Sequence, residues 1–133
     1  MKKILVIDDD PSVQKLFSMF LGKKGYQIQV ADNGKIGMDL MERDQPDLII
    51  TDILMPEMDG LEILLKIRKT RADLPVIAIS GGSRALPINF LKQASLFGAK
   101  HVFEKPVPLN VLNETVRDLL GENPAPPTVG SSS

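Results

Sequence analysis

Apolar residues gather in five short runs at fairly even intervals: KILVI (3–7), YQIQVA (26–31), DLIIT (47–51), PVIAIS (75–80) and KHVFE (100–104). The first, third and fourth are near-continuous in Ile, Leu and Val, the pattern of central parallel strands covered on both faces. YQIQVA alternates apolar with polar residues and so reads as a strand nearer a sheet edge. KHVFE is the least apolar of the five, which also suggests an edge.

Between these runs the spacing turns helical. Asp10 or Ser12 can cap a helix carrying Val13, Leu16, Phe17 and Phe20, stopped around Gly22 to Gly25. Asp32 or Asn33 starts a second, with Ile36, Leu40 and Met41. Asp59-Gly60 leads into a third, with Leu61, Leu64, Leu65 and Arg68 on related turns. Pro87 fits the first turn of a fourth holding Ile88, Leu91 and Ala94, and Pro108 opens a fifth with Leu109, Leu112, Val116 and Leu119/Leu120. Strand and helix alternate five times, which predicts an α/β domain with one doubly wound parallel sheet and right-handed crossovers. The domain is expected over residues 1–121. The tail 122–133 (ENPAPPTVGSSS) is rich in Pro, Gly and Ser and is expected to be disordered.

Composition narrows the classes. The 133 residues are 43% hydrophobic and 25% charged, ordinary values for one globular domain. Sixteen basic residues against 17 acidic ones give a net charge of -1, so no basic excess points to nucleic acid or an anionic membrane surface. Cys is absent, which excludes a disulfide framework and a thiolate metal site. The apolar runs fall far short of the ~20 residues of a membrane span. A cytoplasmic domain is expected.

Candidate chemistry sits at the ends of the predicted strands. Asp8 and Asp9 follow the first, Asp52 the third, Ser80 the fourth and Lys105 the fifth. In an open α/β sheet, ligands collect beyond the carboxyl ends of the strands. Taken singly, each residue has a plainer reading. Asp10 is read as a helix cap, Asp52 and Ser80 can be turn residues, Lys105 can be a solvated lysine, and His101 is read as an exposed edge residue. Their coincidence at neighbouring strand ends favours one cleft. Carboxylates ~4 Å apart repel by about 4 kcal/mol at an effective dielectric near 20, so the cluster calls for a proton or a cation. Oxygen donors without His or Cys select a hard ion, Mg²⁺ first, with Mn²⁺ or Ca²⁺ second. Acids, a hydroxyl and a lysine are also the parts of phosphoryl transfer to a carboxylate, and Asp52, alone at its strand end, is the best nucleophile.

Together, ILVIDDDP, PDLIITDILMPEMDG, VIAISGG and GAKHVFEKP resemble the receiver domain of two-component response regulators, over residues ~2 to 120. The resemblance implies a flavodoxin-like (βα)5 sheet of strand order 2-1-3-4-5, a doubly wound order for which a receiver is itself a standard example. It implies Asp52 as phospho-acceptor, Asp9 as direct Mg²⁺ ligand, Asp8 as a ligand mainly through water, and the backbone carbonyl of Leu54 as a further ligand. Ser80 and Lys105 match the hydroxyl and the ammonium that meet the phosphoryl group. The bond before Pro106 is expected to be cis. Gly81 and the loop SGGSRALP form the expected switch. Val102 stands where relatives often carry a switching aromatic, with Phe103 next to it. Leu54 and Gly82 stand where relatives often carry polar groups that influence dephosphorylation, so slow intrinsic loss of phosphate is expected.

The resemblance implies a stand-alone receiver phosphorylated by a histidine kinase or phosphotransfer protein. It would act by binding a protein effector that the sequence does not identify or by passing phosphate onward, without turnover on a separate substrate. The alternative is an interaction module of the same fold that works regardless of phosphate, against which the intact Asp8, Asp9, Asp52, Ser80 and Lys105 set argues. A Mg²⁺-dependent phosphatase is disfavoured, because such enzymes place an acid two residues after the nucleophile and here that residue is Leu54. Oligomeric state is not legible.

Overall fold

The computed structural model describes residues 2–52, 60–80 and 98–121. Among these residues nine elements follow in order: β1 (Lys3–Ile7), α1 (Pro11–Lys23), β2 (Gln27–Ala31), α2 (Gly34–Asp44), β3 (Leu48–Asp52), α3 (Gly60–Thr70), β4 (Val76–Ser80), β5 (His101–Glu104) and α4 (Leu109–Leu119). All pairings are parallel, and the strands lie in the order β2-β1-β3-β4-β5. This is the flavodoxin-like arrangement expected from the sequence. The helix expected at Pro87, the Leu54 carbonyl, Gly81 and the tail lie outside the described residues.

The near-continuous apolar strands are the central ones because each must meet a layer on both sides. Leu5 and Ile7 of β1, Ile49 of β3 and Val76 and Ala78 of β4 pack with Met41, Ile63, Leu64 and Ile67 of α2 and α3. Alternate residues, Ile4, Val6, Leu48, Ile50, Ile77 and Ile79, pack on the opposite face with Phe17 and Leu21 of α1 and Leu112 and Val116 of α4. Period-two alternation therefore divides one apolar strand between two cores. β2 and β5 are the edges, as their mixed sequences predict.

Local signals set the helix starts. Asp10 caps α1, its carboxylate accepting the Ser12 N–H at 2.9 Å, and Asn33 caps α2 by accepting the Ile36 N–H at 2.9 Å. Gly25, at φ +100, makes the left-handed turn into β2 that a side chain would disfavour. Gly37 brings α2 close to the sheet: a Cβ there would lie 2.5 Å from Ile7 Cδ1.

Some expected core positions are displaced. Leu16, Ile36 and Leu65 are exposed, whereas Leu21, Ile63 and Ile67 are buried. The helices carry more apolar residues than one face can hold, and the position of the sheet decides which stripe is covered.

Candidate acidic cleft at the carboxyl edge of the sheet

Because β1, β3, β4 and β5 are neighbours and parallel, their carboxyl ends open on one side. Asp8 follows β1, and its N–H still donates to the Ala31 carbonyl at 3.1 Å, one step beyond the β1–β2 ladder. Asp52 is the last residue of β3, level with Ile79, and Ser80 ends β4 opposite Glu104. Lys105 leaves β5 with its N–H donating to the Ser80 carbonyl at 2.9 Å. The Lys105–Pro106 peptide is cis.

These residues meet. The Lys105 ammonium lies 3.1 Å from Asp8 Oδ2 and 3.1 Å from Asp52 Oδ2, a bridge between two strand ends. Asp8 is 2% exposed and Asp52 5% exposed, while the Lys105 side chain keeps 22% of its surface. The second Asp8 oxygen, Oδ1, accepts the Asp10 N–H at 2.9 Å. The exposed Asp9 adds a third acid: one oxygen from each of Asp8, Asp9 and Asp52 lies within 4.8 Å of the others. The donors are all oxygen and two of the three are buried, which suits a hard cation and not a thiophilic or imidazole-seeking one.

Burial of Asp8, aided by the nearby Asp52 charge, pushes its carboxyl above the usual range against the Asp10 N–H and Lys105. Burial alone would lower Lys105. The charges of Asp52 and Asp8 and the hydrogen bonds to both outweigh it, so its ammonium is held above the ordinary lysine value. The cleft is therefore short of positive charge. Ser80 Oγ, on a residue 1% exposed, has no hydrogen-bond partner among the described residues. Its hydroxyl can donate to an acceptor placed in the cleft.

Val102 and Phe103 point to opposite faces, as neighbours on a strand must. Val102 packs against the α2–α3 side, while Phe103 lies on the α1–α4 side with its ring 5.9 Å from the His101 ring. Phe103 is thus no replacement for an aromatic at 102. His101 is exposed on the edge strand, where the sequence puts it.

Two features escape sequence reasoning. Lys105 holds Asp8 as well as Asp52. Gln14, on the first turn of α1, donates from Nε2 to the Asp8 carbonyl at 2.6 Å and to Asp32 Oδ1 at 2.8 Å. A glutamine amid helical residues gives no periodic signal, though its place four residues after the Asp10 cap aims it back at the acidic loop.

The family model for the response regulator receiver domain matches residues 4–117. The chain belongs to that family. Response regulator MprA of Mycolicibacterium vanbaalenii is 34% identical over 119 residues, covering 89% of this chain and 50% of the relative. Transcriptional regulatory protein GlrR of Escherichia coli is 32% identical over 125 residues, covering 94% and 27%. The receiver thus spans half the length of the first relative and 27% of the second. Among solved structures, a receiver domain from Clostridium thermocellum aligns with a TM-score of 0.84 at 26% identity, over 91% of this chain and 95% of that one. Response regulator TrrA from Thermotoga maritima, in complex with Mg²⁺ and BeF, aligns at 0.78 with 33% identity, over 90% and 99%. This is a receiver domain of two-component signal transduction, and no helix among its described residues is long and apolar enough to cross a membrane.

Proposed function

We propose that this receiver is phosphorylated on Asp52 in a Mg²⁺-dependent reaction, with a histidine kinase or phosphotransfer protein of the cytoplasm as donor. The observation that carries the reading is the Lys105 bridge between two buried carboxylates, in a cleft where a third acid approaches within 4.8 Å. Asp8, Asp9 and Asp52, with the Leu54 carbonyl implied by the family resemblance, would hold the cation, which when bound supplies positive charge for the phosphoryl oxygens.

An Asp52 oxygen forms a bond to phosphorus while the phosphorus–nitrogen bond of the donor phosphohistidine breaks. The imidazole keeps the bonding pair and takes up a proton. Lys105, already touching Asp52, follows the new charge, and the Ser80 hydroxyl can donate to a phosphoryl oxygen. The product carries more charge and more acceptor oxygens than the carboxylate it replaces. Movement of Ser80 and Gly81 toward those oxygens would shift the loop after β4 between two states, and the affinity for a protein effector with it.

Intact-mass measurement with acetyl phosphate tests this, with Mg²⁺ or EDTA, on wild type and Asp52→Asn. One phosphoryl group gained only with Mg²⁺, and lost in the variant, is expected. A folded wild type that remains unmodified would instead favour an interaction module that works without phosphate.

A further inference from the structure

Asp9 presents a difficulty for any metal reading of the cleft, and the inference here rests on that reading. Asp9 is the exposed member of the acid cluster, so packing does not hold its side chain, yet its oxygen lies within 4.8 Å of those of Asp8 and Asp52. Its position must come from the backbone. The two peptide groups that flank it are both pinned. The Asp10 N–H, on the peptide after Asp9, is bound by Asp8 Oδ1 at 2.9 Å. The Asp8 carbonyl, on the peptide before it, is bound by Gln14 Nε2 at 2.6 Å. The same Gln14 nitrogen reaches Asp32 Oδ1 at 2.8 Å, just beyond β2. Both acceptors are oxygens, so the amide orientation is set by chemistry: the NH₂ group alone can serve them. Each of its hydrogens has one acceptor, and Asp32 fixes the amide plane that holds the Asp8 carbonyl.

We infer that Gln14 is a positioning residue for the divalent-cation seat: with Asp32 it clamps the Asp8–Asp9 peptide, and so pre-organises the Asp9 carboxylate for the metal. Without the clamp, Asp9 would have to be ordered by the ion itself, at the expense of affinity. Partners that orient a metal ligand from behind are typically worth about 10- to 100-fold in metal affinity. Gln14 acts through a carbonyl one residue away from the ligand, so the low end, about tenfold, is expected.

Calorimetric Mg²⁺ titration at fixed ionic strength tests this on wild type, Asp9→Asn and Gln14→Met, with thermal melts in EDTA alongside. Met keeps the length of Gln and removes both hydrogen bonds. Mg²⁺ binding about tenfold weaker in Gln14→Met, with the melting temperature in EDTA little changed, is the expected result. A folded Gln14→Met that binds Mg²⁺ as wild type does overturns the clamp and leaves the metal reading standing. Should Gln14→Met not fold, Asp32→Asn and Asp32→Leu decide. They lose the same charge, but only Asn keeps an oxygen for the Gln14 amide. Tighter binding by the Asn variant supports the clamp, and equal binding overturns it. Wild type with no Asp9-dependent Mg²⁺ binding overturns the metal reading itself, and the clamp with it.

Discussion

Replacing Lys105 with Met keeps the aliphatic stem and removes the charge that bridges Asp8 and Asp52. At the observed 3.1 Å, each ammonium–carboxylate contact is worth about 5 kcal/mol of Coulomb attraction at an effective dielectric near 20. The two carboxylates repel by at least about 3 kcal/mol at the separation within which their oxygens lie. Removing Lys105 deletes both attractions and leaves the repulsion between two buried groups. Proton uptake limits the damage. At neutral pH, protonating a carboxylate of ordinary pKa takes about 4 kcal/mol, and less for Asp8, whose pKa already lies above the usual value. The desolvation cost of the ammonium, recovered when it is removed, offsets much of the lost attraction. The net penalty without metal should therefore be about 3 kcal/mol near pH 7.5, in the range for breaking a buried ion pair.

The sign of the pH dependence follows from the same groups. In the variant, folded Asp8 binds a proton that the unfolded chain does not bind above the ordinary carboxylate range, so stability rises as pH falls. In wild type the raised Lys105 pKa means that its contribution is fully present below the ordinary lysine value and is lost only as pH rises through the folded one. The penalty should therefore shrink as pH falls toward 5, by less than the variant's own gain because Asp8 is already raised in wild type. Urea unfolding followed by circular dichroism, in EDTA across that range, measures it. Adding Asp52→Asn to the variant should remove most of the penalty at all pH values. A penalty that stays constant from pH 5 to pH 8 refutes the reasoning, since a loss that does not involve proton uptake would be the cause.

Two further outcomes are expected. Gly37→Ala should destabilise by about 1 kcal/mol, the overpacking against Ile7 exceeding the gain in helix propensity. Ile7→Val removes the nearest clashing atom, so a double-mutant cycle by urea unfolding should show the pair costing less than the sum by about 1 kcal/mol, and strict additivity would contradict the close approach. The aspartyl phosphate of wild type should outlive those of Leu54→Asn and Gly82→Asn severalfold, because neither Leu nor Gly can orient an attacking water. Equal lifetimes by radiolabel decay would sink that expectation.

The strands were legible because central position in a doubly wound sheet leaves a direct mark on composition. Ile4 to Ile7 must be apolar throughout, since odd and even residues enter different cores. Helix starts were nearly as plain, as Asp10 and Asn33 show, because a cap is a local hydrogen bond. The buried faces were less so. In LEILLKI any of several stripes is apolar, and only the seating of α3 on Val76 and Ala78 selects Ile63, Leu64 and Ile67 over Leu65. A periodic pattern states that a helix has an apolar side, and the partner surface decides which residues form it.

The cleft divides along the same line. That acids, a hydroxyl and a lysine stand at strand ends is a one-dimensional fact, and parallel topology turns it into proximity. How the charges are shared is not one-dimensional. Three clustered carboxylates and one lysine leave the cleft negative, with burial of Asp8 raising its pKa and Lys105 divided between Asp8 and Asp52. Such a site is poised to accept positive charge, and Lys105 is the group already supplying it. A cation held by Asp8 would relieve the ammonium of that contact and leave it to Asp52. In the bridge an internal cation balances part of the charge that a divalent ion would balance better. Lys105→Met should for that reason bind Mg²⁺ more tightly than wild type in a calorimetric titration near pH 7.5, even though it folds less well without it. Equal or weaker binding by the folded variant would refute this.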